Sequence, residues 1–186
     1  MEKNKIYECK IENYTAEGMG VARIDGCVVF VQGALRGERC RILILKVRKN
    51  MAFAKIVEHI ETSPHRLAPD CPHFPRCGGC TYRHMEYAEE LVLKRERVEN
   101  NLRRIGGSNV AVEEILGAAD TERYRNKTQY PISADGKVGF YRARSHDVID
   151  VPDCLLQPES VNRLGRALKD WMERGRISAY DEKTGK

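Results

Sequence analysis

The amino-acid sequence predicts an α+β fold, with a small β-barrel in residues 1–60 followed by a small α/β domain in residues 61–186. Three observations support this prediction. The first sixty residues form short apolar or alternating runs separated by glycine, which is typical of strands. Two later segments repeat their apolar residues at helical spacing. Between these regions lies a short segment with three cysteines, which indicates a metal centre.

Five strands are predicted in the N-terminal region, and no run there is long enough for a helix. Asp25-Gly26 is a strong hairpin signal between the second and third strands. Five short strands with glycine at their turns favour a closed barrel of the oligonucleotide-binding type, whose exposed face would bind nucleic acid. The predicted strands are residues 7–11, 21–24, 27–31, 38–48 and 52–59.

The second region combines helices with strands. A helix is predicted over residues 87–105, where Gly106-Gly107 ends it. A second helix follows Pro158, with Ser160 as its N-cap, and ends near Gly175. Further strands are predicted at residues 110–116, 127–151 and 177–180, with a turn at Asp135-Gly136 and another over residues 181–186. Because a last strand without a partner would be an exposed sheet edge, we expect a larger architecture that continues beyond this chain.

The composition limits the class of protein. Of the 186 residues, 41% are hydrophobic and 32% are charged, which is enough apolar material for a core, so a disordered chain is excluded. No run approaches the roughly 18 apolar residues of a membrane span, and the charged N-terminus lacks the apolar region of a signal peptide. We therefore expect a cytoplasmic protein with no membrane partner.

Two segments concentrate the positive charge of a chain whose net charge is only +5. Residues 36–49 carry six basic residues and one acid, and residues 123–144 carry the same numbers. Such segments favour a surface for a polyanion, although two solvated strand faces would look the same. The candidate RNA contacts are basic residues of both segments and three aromatic residues able to stack on unpaired bases. They are Arg36, Arg39, Arg41, Lys46, Arg48, Arg123, Tyr124, Arg125, Lys127, Phe140, Tyr141, Arg142 and Arg144.

The seven cysteines fall into two groups. Cys9, Cys27 and Cys40 each lie in a strand-like apolar run, so we expect them to be small buried side chains. The other group is Cys71, Cys77, Cys80 and Cys154, of which the first three have the spacing C-x5-C-x2-C.

Three thiolates in one loop and a distant fourth are a common way to hold an iron–sulfur cube. Structural zinc more often takes its ligands from two close pairs, and only one such pair is present. The nearby His65, His73 and His84 nevertheless leave a mixed zinc site open, and unliganded thiols are the third possibility.

These residues resemble the RNA (uracil-5-)-methyltransferases, in particular the branch that acts on 23S rRNA. The cysteine segment from Cys71 to Tyr87 carries the most specific part of the resemblance. Residues 17–22 and 28–38 resemble the N-terminal TRAM domain of that family, an RNA-binding barrel. Residues 124–127 and 139–142 resemble its central RNA-contacting domain.

The resemblance implies that Cys71, Cys77, Cys80 and Cys154 bind a [4Fe-4S] cluster, with Cys154 as the fourth ligand. It also implies methyl transfer from S-adenosylmethionine to C5 of a uridine in 23S rRNA, during which a cysteine thiolate adds to C6 of the base. The family carries its nucleophile and cofactor site in a C-terminal domain, and this sequence has no glycine-rich loop between a strand and a helix to form one. We therefore assign no catalytic or cofactor-binding residue and expect methyl transfer only in the full-length enzyme.

Two other readings stay open. The first is an RNA-binding iron–sulfur or zinc protein that acts alone and has no enzymatic activity. The second is a radical methylthiotransferase, since these enzymes also combine a TRAM domain with a cluster. Their loop has the spacing C-x3-C-x2-C and leaves one iron open, whereas four cysteines are present here and predict a closed, structural cluster.

Overall fold

A computed structural model of the chain describes residues 1–181, 184 and 185. Its contacts divide the chain into two compact units. The sheet unit comprises Met1–Ala68 and Tyr82–Leu116, and the cysteine unit comprises Pro69–Thr81 and Gly117–Lys186. Part of the terminal turn predicted over residues 181–186 lies outside the described residues, namely Glu182, Lys183 and Lys186.

The sheet unit is built on one mixed sheet with the strand order β1-β5-β6-β4-β3-β2. Strands β4 and β6 pair in parallel, and the other neighbours pair antiparallel. Each predicted strand is present, together with the two-residue strand β2. The strands are β1 (Ile6–Lys10), β2 (Asn13–Tyr14), β3 (Gly20–Ile24), β4 (Cys27–Gln32), β5 (Arg39–Arg48) and β6 (Met51–Glu61).

The two ends of this strand order are joined by only two residues of the chain. The Ile11 N–H donates to the Glu38 carbonyl at 2.8 Å, continuing the pairing of β1 with β5. The Glu12 N–H donates to the Val21 carbonyl at 2.8 Å, which begins the pairing of β2 with β3. One bent segment thus pairs with both sides of the sheet, while the oligonucleotide-binding barrel type stays a prediction.

The predicted hairpin between β3 and β4 is present. Asp25 and Gly26 both have positive φ angles, 48° and 76°, as a type I′ turn requires. The strands alternate between buried and exposed residues, so that Ala22, Val29 and Ile44 are fully buried in the core of the unit. This core is aliphatic, as the low aromatic content indicates.

The first helix, α1 (Tyr87–Arg104), belongs to the sheet unit. Its Leu93 packs with Leu35 and Met85 in a second small core. The predicted helix over residues 87–105 is therefore present, but the contacts place it with the sheet rather than with the cysteines. The domain boundary at residue 60 stays a prediction.

The cysteine unit has little regular structure in its described residues. It contains the hairpin β7 (Gly139–Tyr141) and β8 (Val148–Asp150) and the helix α2 (Glu159–Gly175). Of the long hairpin predicted over residues 127–151, only these strands and one bridge between Ile132 and Val138 form.

Three local predictions are wrong. Residues 110–116 and 177–180 form no strand, because neither has a neighbour among the described residues to complete a ladder; Leu116 is 86% exposed. Ser160 is not the N-cap of α2, which is preceded by Pro158 and begins at Glu159. No described helix is long and apolar enough to cross a membrane.

Candidate metal centre and nucleic-acid surface

The loop with Cys71, Cys77 and Cys80 is fixed against the β7–β8 hairpin. The Gly78 N–H donates to the Tyr141 carbonyl at 3.0 Å. A Cβ atom on Gly78 would lie 3.0 Å from that oxygen and 3.2 Å from Ala143, so the close approach favours glycine. The next amide, Gly79 N–H, points at the Cys77 sulfur at 3.4 Å. The loop thus presents a thiol that already receives a backbone hydrogen bond.

Cys154 lies beside this loop although it is 74 positions from Cys80 in the sequence. It is buried in a small core with Val151 and Leu156, against which Cys77 and Cys80 pack. Burial is the largest cause that raises the pKa of Cys77, and negative charge on Cys154 and Cys71 raises it further. Cys77 and Cys80 therefore lie against Cys154, and Cys71 belongs to the same loop, while the assignment of the four as metal ligands stays a prediction.

A polar bracket, which sequence reasoning missed, holds the Cys154 backbone. The buried Asn162 side chain accepts from the Cys154 N–H at 3.1 Å and donates to the Cys154 carbonyl at 3.2 Å. Arg123 donates to the same carbonyl at 2.8 Å, to Asp153 at 2.7 Å and to the Gln157 carbonyl at 3.1 Å. A buried asparagine on the polar side of α2 carries no sequence signal of its own, because polar helix residues usually face solvent.

A second group of possible metal ligands lies in the sheet unit. Among the described residues, Glu38, Cys40 and His59 are the one group of three such side chains whose ligand atoms lie within 4.8 Å of one another. However, both Glu38 oxygens are taken: they accept from the Arg66 guanidinium and from the backbone N–H groups of Leu35 and Ser63.

The thiol of this group is also unsuited to a metal. Burial raises the pKa of Cys40 to about 12, with the charge of Glu38 adding to it, so that little thiolate forms near neutral pH. A cation placed here would also meet the positive charge of Arg66. The group therefore serves the core of the sheet unit.

The arginines predicted as RNA contacts in the sheet unit are mostly paired. Arg36 donates to both Glu96 oxygens at 2.9 Å and to Glu89 at 3.0 Å. Arg39 pairs with Glu8 and Glu61, and Arg41 pairs with Glu58 at 2.9 Å. Lys46 and Arg48, at the end of β5, are exposed and have no carboxylate partner in the described chain. The unneutralised charge of this strand thus lies at its C-terminal end.

In the cysteine unit the predicted RNA contacts separate into surface and interior residues. Tyr124 is 59% exposed and Tyr141 43% exposed, the latter stacked on His146. Phe140 instead packs edge-on against Tyr130 beside the small core, and Arg125 donates to the Gly79 carbonyl at 3.5 Å. The remaining basic residues are exposed at the surface: Lys127, Arg142 and Arg144.

Comparison with known proteins gives a consistent result. The TRAM domain family matches residues 2–57. An uncharacterized RNA methyltransferase of Clostridium tetani is 42% identical over 189 residues, which covers 100% of this chain and 41% of the relative. Another, from Listeria innocua, is 40% identical over 190 residues and covers 100% of this chain and 42% of the relative. The chain thus spans about two fifths of the length of the curated relatives it matches.

Among solved structures, a tRNA (uracil-54, C5)-methyltransferase of Pyrococcus abyssi, in complex with S-adenosyl-L-homocysteine, has a similar fold. The TM-score is 0.66 at 23% identity, over 96% of this chain and 40% of that one. This likeness supports the fold of the described chain, and the sequence relatives carry the family relationship.

Proposed function

We propose that this chain, which belongs to the RNA methyltransferase family and matches part of the length of its relatives, is the portion of such an enzyme that recognises RNA and holds a [4Fe-4S] cluster. The enzyme would be an RNA (uracil-5-)-methyltransferase that acts on 23S rRNA. The full-length enzyme would transfer the methyl group of S-adenosylmethionine to C5 of a uridine. Enzymes of this kind must take the target base out of its stack. Domains that grip the surrounding RNA therefore contribute directly to the reaction.

The observation that carries the cluster proposal is the position of Cys154 against the Cys77–Cys80 loop. Cys71, Cys77, Cys80 and Cys154 would hold the cluster through four thiolate–iron bonds, which cross-link the loop to the distant segment. The Gly79 N–H stabilises the thiolate form of Cys77, and the charge of Arg125 acts in the same direction. Because four thiolates leave no iron open, the cluster would be structural.

The spacing of the cysteines favours a cluster over one zinc ion, because three thiols lie in one loop and the fourth is distant in the sequence. Structural zinc more often takes its ligands from two close pairs, and the sequence has only one such pair.

The test of the cluster is the metal content of anaerobically purified protein. We expect about four irons per chain and brown colour, and Cys154→Ser should lose the iron as completely as Cys77→Ser. Cys27→Ser is the matched control, because Cys27 is half-buried on β4 and outside the group. Stoichiometric zinc without iron, or full iron in Cys154→Ser, would refute the assignment.

The choice of RNA is tested by competition. The two basic surfaces, at the end of β5 and around Tyr124 and Arg142, should bind a fragment of 23S rRNA more tightly than an equal mass of tRNA at the same salt concentration. Equal affinity for both would remove 23S rRNA from the proposal and leave general RNA binding. Preference for tRNA would assign the chain to a tRNA enzyme instead.

Methyl transfer should need more than these residues. Four cysteines would be bound to iron, Cys9 and Cys40 are buried, and Cys27 remains as the one half-exposed thiol, whose sulfur contacts the Val28 carbonyl on β4. We expect no transfer of labelled methyl to 23S rRNA by the 186-residue chain, and transfer by the full-length protein. Turnover by the chain alone would place the active site within it.

A further inference from the structure

A groove of about 310 Å³ lies between the β2 segment and one face of α1, entirely within the sheet unit. From the strand side it is lined by Asn13, Tyr14 and Thr15, and from the helix by residues between Leu93 and Ile105. None of these is among the RNA contacts predicted from the sequence. Its volume falls at the lower end of the range of about 300–1,000 Å³ that is usual for small-ligand clefts.

We propose that this groove binds one nucleotide of single-stranded RNA through Arg97, Asn100 and Arg104, which follow one another along one face of α1. Their spacing of three and four residues puts the three side chains in one row. The inference rests on the proposed RNA-binding function and adds a specific subsite to it.

The charge of the groove suits a phosphate. Arg97 and Arg104 are exposed and have no carboxylate partner in the described chain. The lining carboxylate, Glu96, is engaged by Arg36, which donates to both of its oxygens at 2.9 Å and also pairs with Glu89. Two arginines therefore remain to bind the phosphodiester backbone.

The polar groups beside these arginines suit a base with carbonyl groups. The Asn13 side-chain oxygen accepts from the Tyr14 N–H at 2.8 Å, and the Asn100 oxygen accepts from Arg103 at 2.8 Å. With their oxygens engaged, both amides offer their nitrogen atoms as donors, and uracil carries two carbonyl acceptors on its ring. Ile105, 84% exposed at the edge of the groove, adds an apolar contact for the ring.

The walls of the groove are held in place before any ligand arrives. The Tyr14 hydroxyl accepts from the Arg36 N–H at 2.9 Å and donates to Glu89 at 3.1 Å. The Thr15 hydroxyl accepts from the backbone N–H groups of Glu17 and Met19 at 3.2 Å. Arg97 donates to the Ala16 carbonyl at 3.2 Å, which ties the helix to the strand segment. A preformed site lowers the cost of ordering on binding.

RNA fits these features better than a protein segment does. Protein interfaces are centred on buried apolar and aromatic anchors, whereas five of the eleven residues that line the groove are arginine or asparagine and one apolar lining residue, Leu93, is buried. Two free positive charges and amide donors match a phosphate joined to a base.

The test uses the whole chain and a uridine-rich single-stranded RNA, with affinity measured by fluorescence anisotropy over a range of salt concentrations. Arg97→Ala/Arg104→Ala should weaken binding about tenfold, and the slope of log affinity against log salt should decrease in magnitude by about 1.4, because each single-strand phosphate contact contributes about 0.7. Asn100→Ala should weaken binding about threefold without changing the slope, because base contacts release no counterions.

Two controls isolate the groove. Arg97→Lys/Arg104→Lys keeps the charge and should retain the wild-type slope. Arg163→Ala/Arg174→Ala removes two charges from exposed positions of α2 and should leave affinity within twofold of wild type. Thermal unfolding of each variant shows whether it is folded.

The location is tested by photo-crosslinking with 4-thiouridine in the same RNA. Crosslinked peptides should contain residues 13–16 or 97–105. If the wild-type chain binds RNA but the alanine variants keep the same affinity and slope, the groove is not the binding site. Crosslinks found only elsewhere would have the same meaning. Either result would leave the proposed function standing. Absence of RNA binding by the wild-type chain would overturn the proposed function itself.

Discussion

The two units of this chain are stabilised in different ways. In the described part of the sheet unit, eleven buried residues form one continuous apolar cluster beneath a hydrogen-bonded sheet. In the cysteine unit the corresponding cluster consists of Val151, Cys154 and Leu156, with half-buried cysteines and Phe140 against it. The first unit has a core of ordinary composition, whereas the second has one centred on sulfur.

The comparison shows what the cysteines would contribute. A unit of about 80 residues with so few buried apolar side chains gains little from hydrophobic burial, and small domains of this kind usually depend on disulfides or a metal. The bracket of Arg123 and Asn162 fixes the Cys154 segment but buries little apolar surface. If the proposed cluster is present, we therefore expect the cysteine unit to depend on it and the sheet unit to be independent of it.

The largest expected effect follows from removing iron. Chelation under oxidising conditions should unfold the cysteine unit, since a metal that cross-links the loop and the Cys154 segment contributes its binding free energy to folding. Hydrogen exchange measured by mass spectrometry should show complete loss of protection in β7, β8 and α2. Protection in β3 to β6 should persist, and its simultaneous loss would show that the two units fold as one.

The next effect concerns a buried ion pair in the sheet unit. Glu38 is fully buried and bonded to Arg66, and Glu38→Ala removes the carboxylate partner of that guanidinium, which keeps only the Gly33 carbonyl, and the acceptor of two backbone N–H groups. We expect a loss of about 3 kcal/mol in the free energy of unfolding, measured by urea denaturation. Glu58→Ala is the matched control, because its pair with Arg41 is exposed and worth less than about 1 kcal/mol. Equal losses would contradict the role assigned to burial.

The sequence predicts the sheet unit better than the cysteine unit, and the two kinds of structure explain why. The strands of residues 21–24 and 27–31 are specified locally, by alternation and by the turn residues Asp25 and Gly26. In the cysteine unit, residues 127–151 form only two short strands and one bridge, and residues 177–180 have no strand partner among the described residues. Residues 110–116, at the end of the sheet unit, also have the composition of a strand but no described partner. Strand formation requires pairing, which local composition does not specify.

The site shows the same division. The grouping of Cys154 with Cys77 and Cys80 follows from cysteine chemistry and from the family resemblance. The role of Asn162 as bracket depends on a fold that brings α2 against the Cys154 segment, and no periodicity indicates it. Arg36 looks like an RNA contact in the sequence, yet its partners Glu89 and Glu96 lie more than fifty positions away.

The free energy of unfolding of the sheet unit should also depend on pH, which distinguishes it further from the cysteine unit. Burial lowers the pKa of His84 to about 4, and the nearby charge of Arg66 lowers it as well. The unfolded chain binds this proton near pH 6.5, whereas the folded unit does so only near pH 4. The stability that His84 contributes is therefore complete above pH 6.5 and declines, by up to about 1.4 kcal/mol per pH unit, as the pH falls toward 4.

This dependence is measured by urea unfolding of the sheet unit, followed by far-UV circular dichroism between pH 4.5 and 7. His84→Gln should flatten the curve, because glutamine does not titrate. His146→Gln, in the cysteine unit, should leave the curve unchanged. Glu38 acts at lower pH: its bonds to Arg66 lower its pKa against the opposing effect of burial, so its contribution is lost only below about pH 4.5. An unchanged curve for His84→Gln would mean that another group takes up the proton.

The smallest expected effect separates paired from unpaired basic residues on β5. Lys46 and Arg48 are exposed without a carboxylate partner, whereas Arg39 and Arg41 lie in ion pairs with Glu8, Glu61 and Glu58. Lys46→Ala/Arg48→Ala should weaken RNA binding about threefold to tenfold, because both charges are available to release counterions. Arg39→Ala/Arg41→Ala removes the same number of charges, but these already have protein partners, so affinity should change less than twofold. Equal losses in the two double variants would show that RNA displaces the carboxylates, and that the ion pairs of the sheet are part of its binding surface.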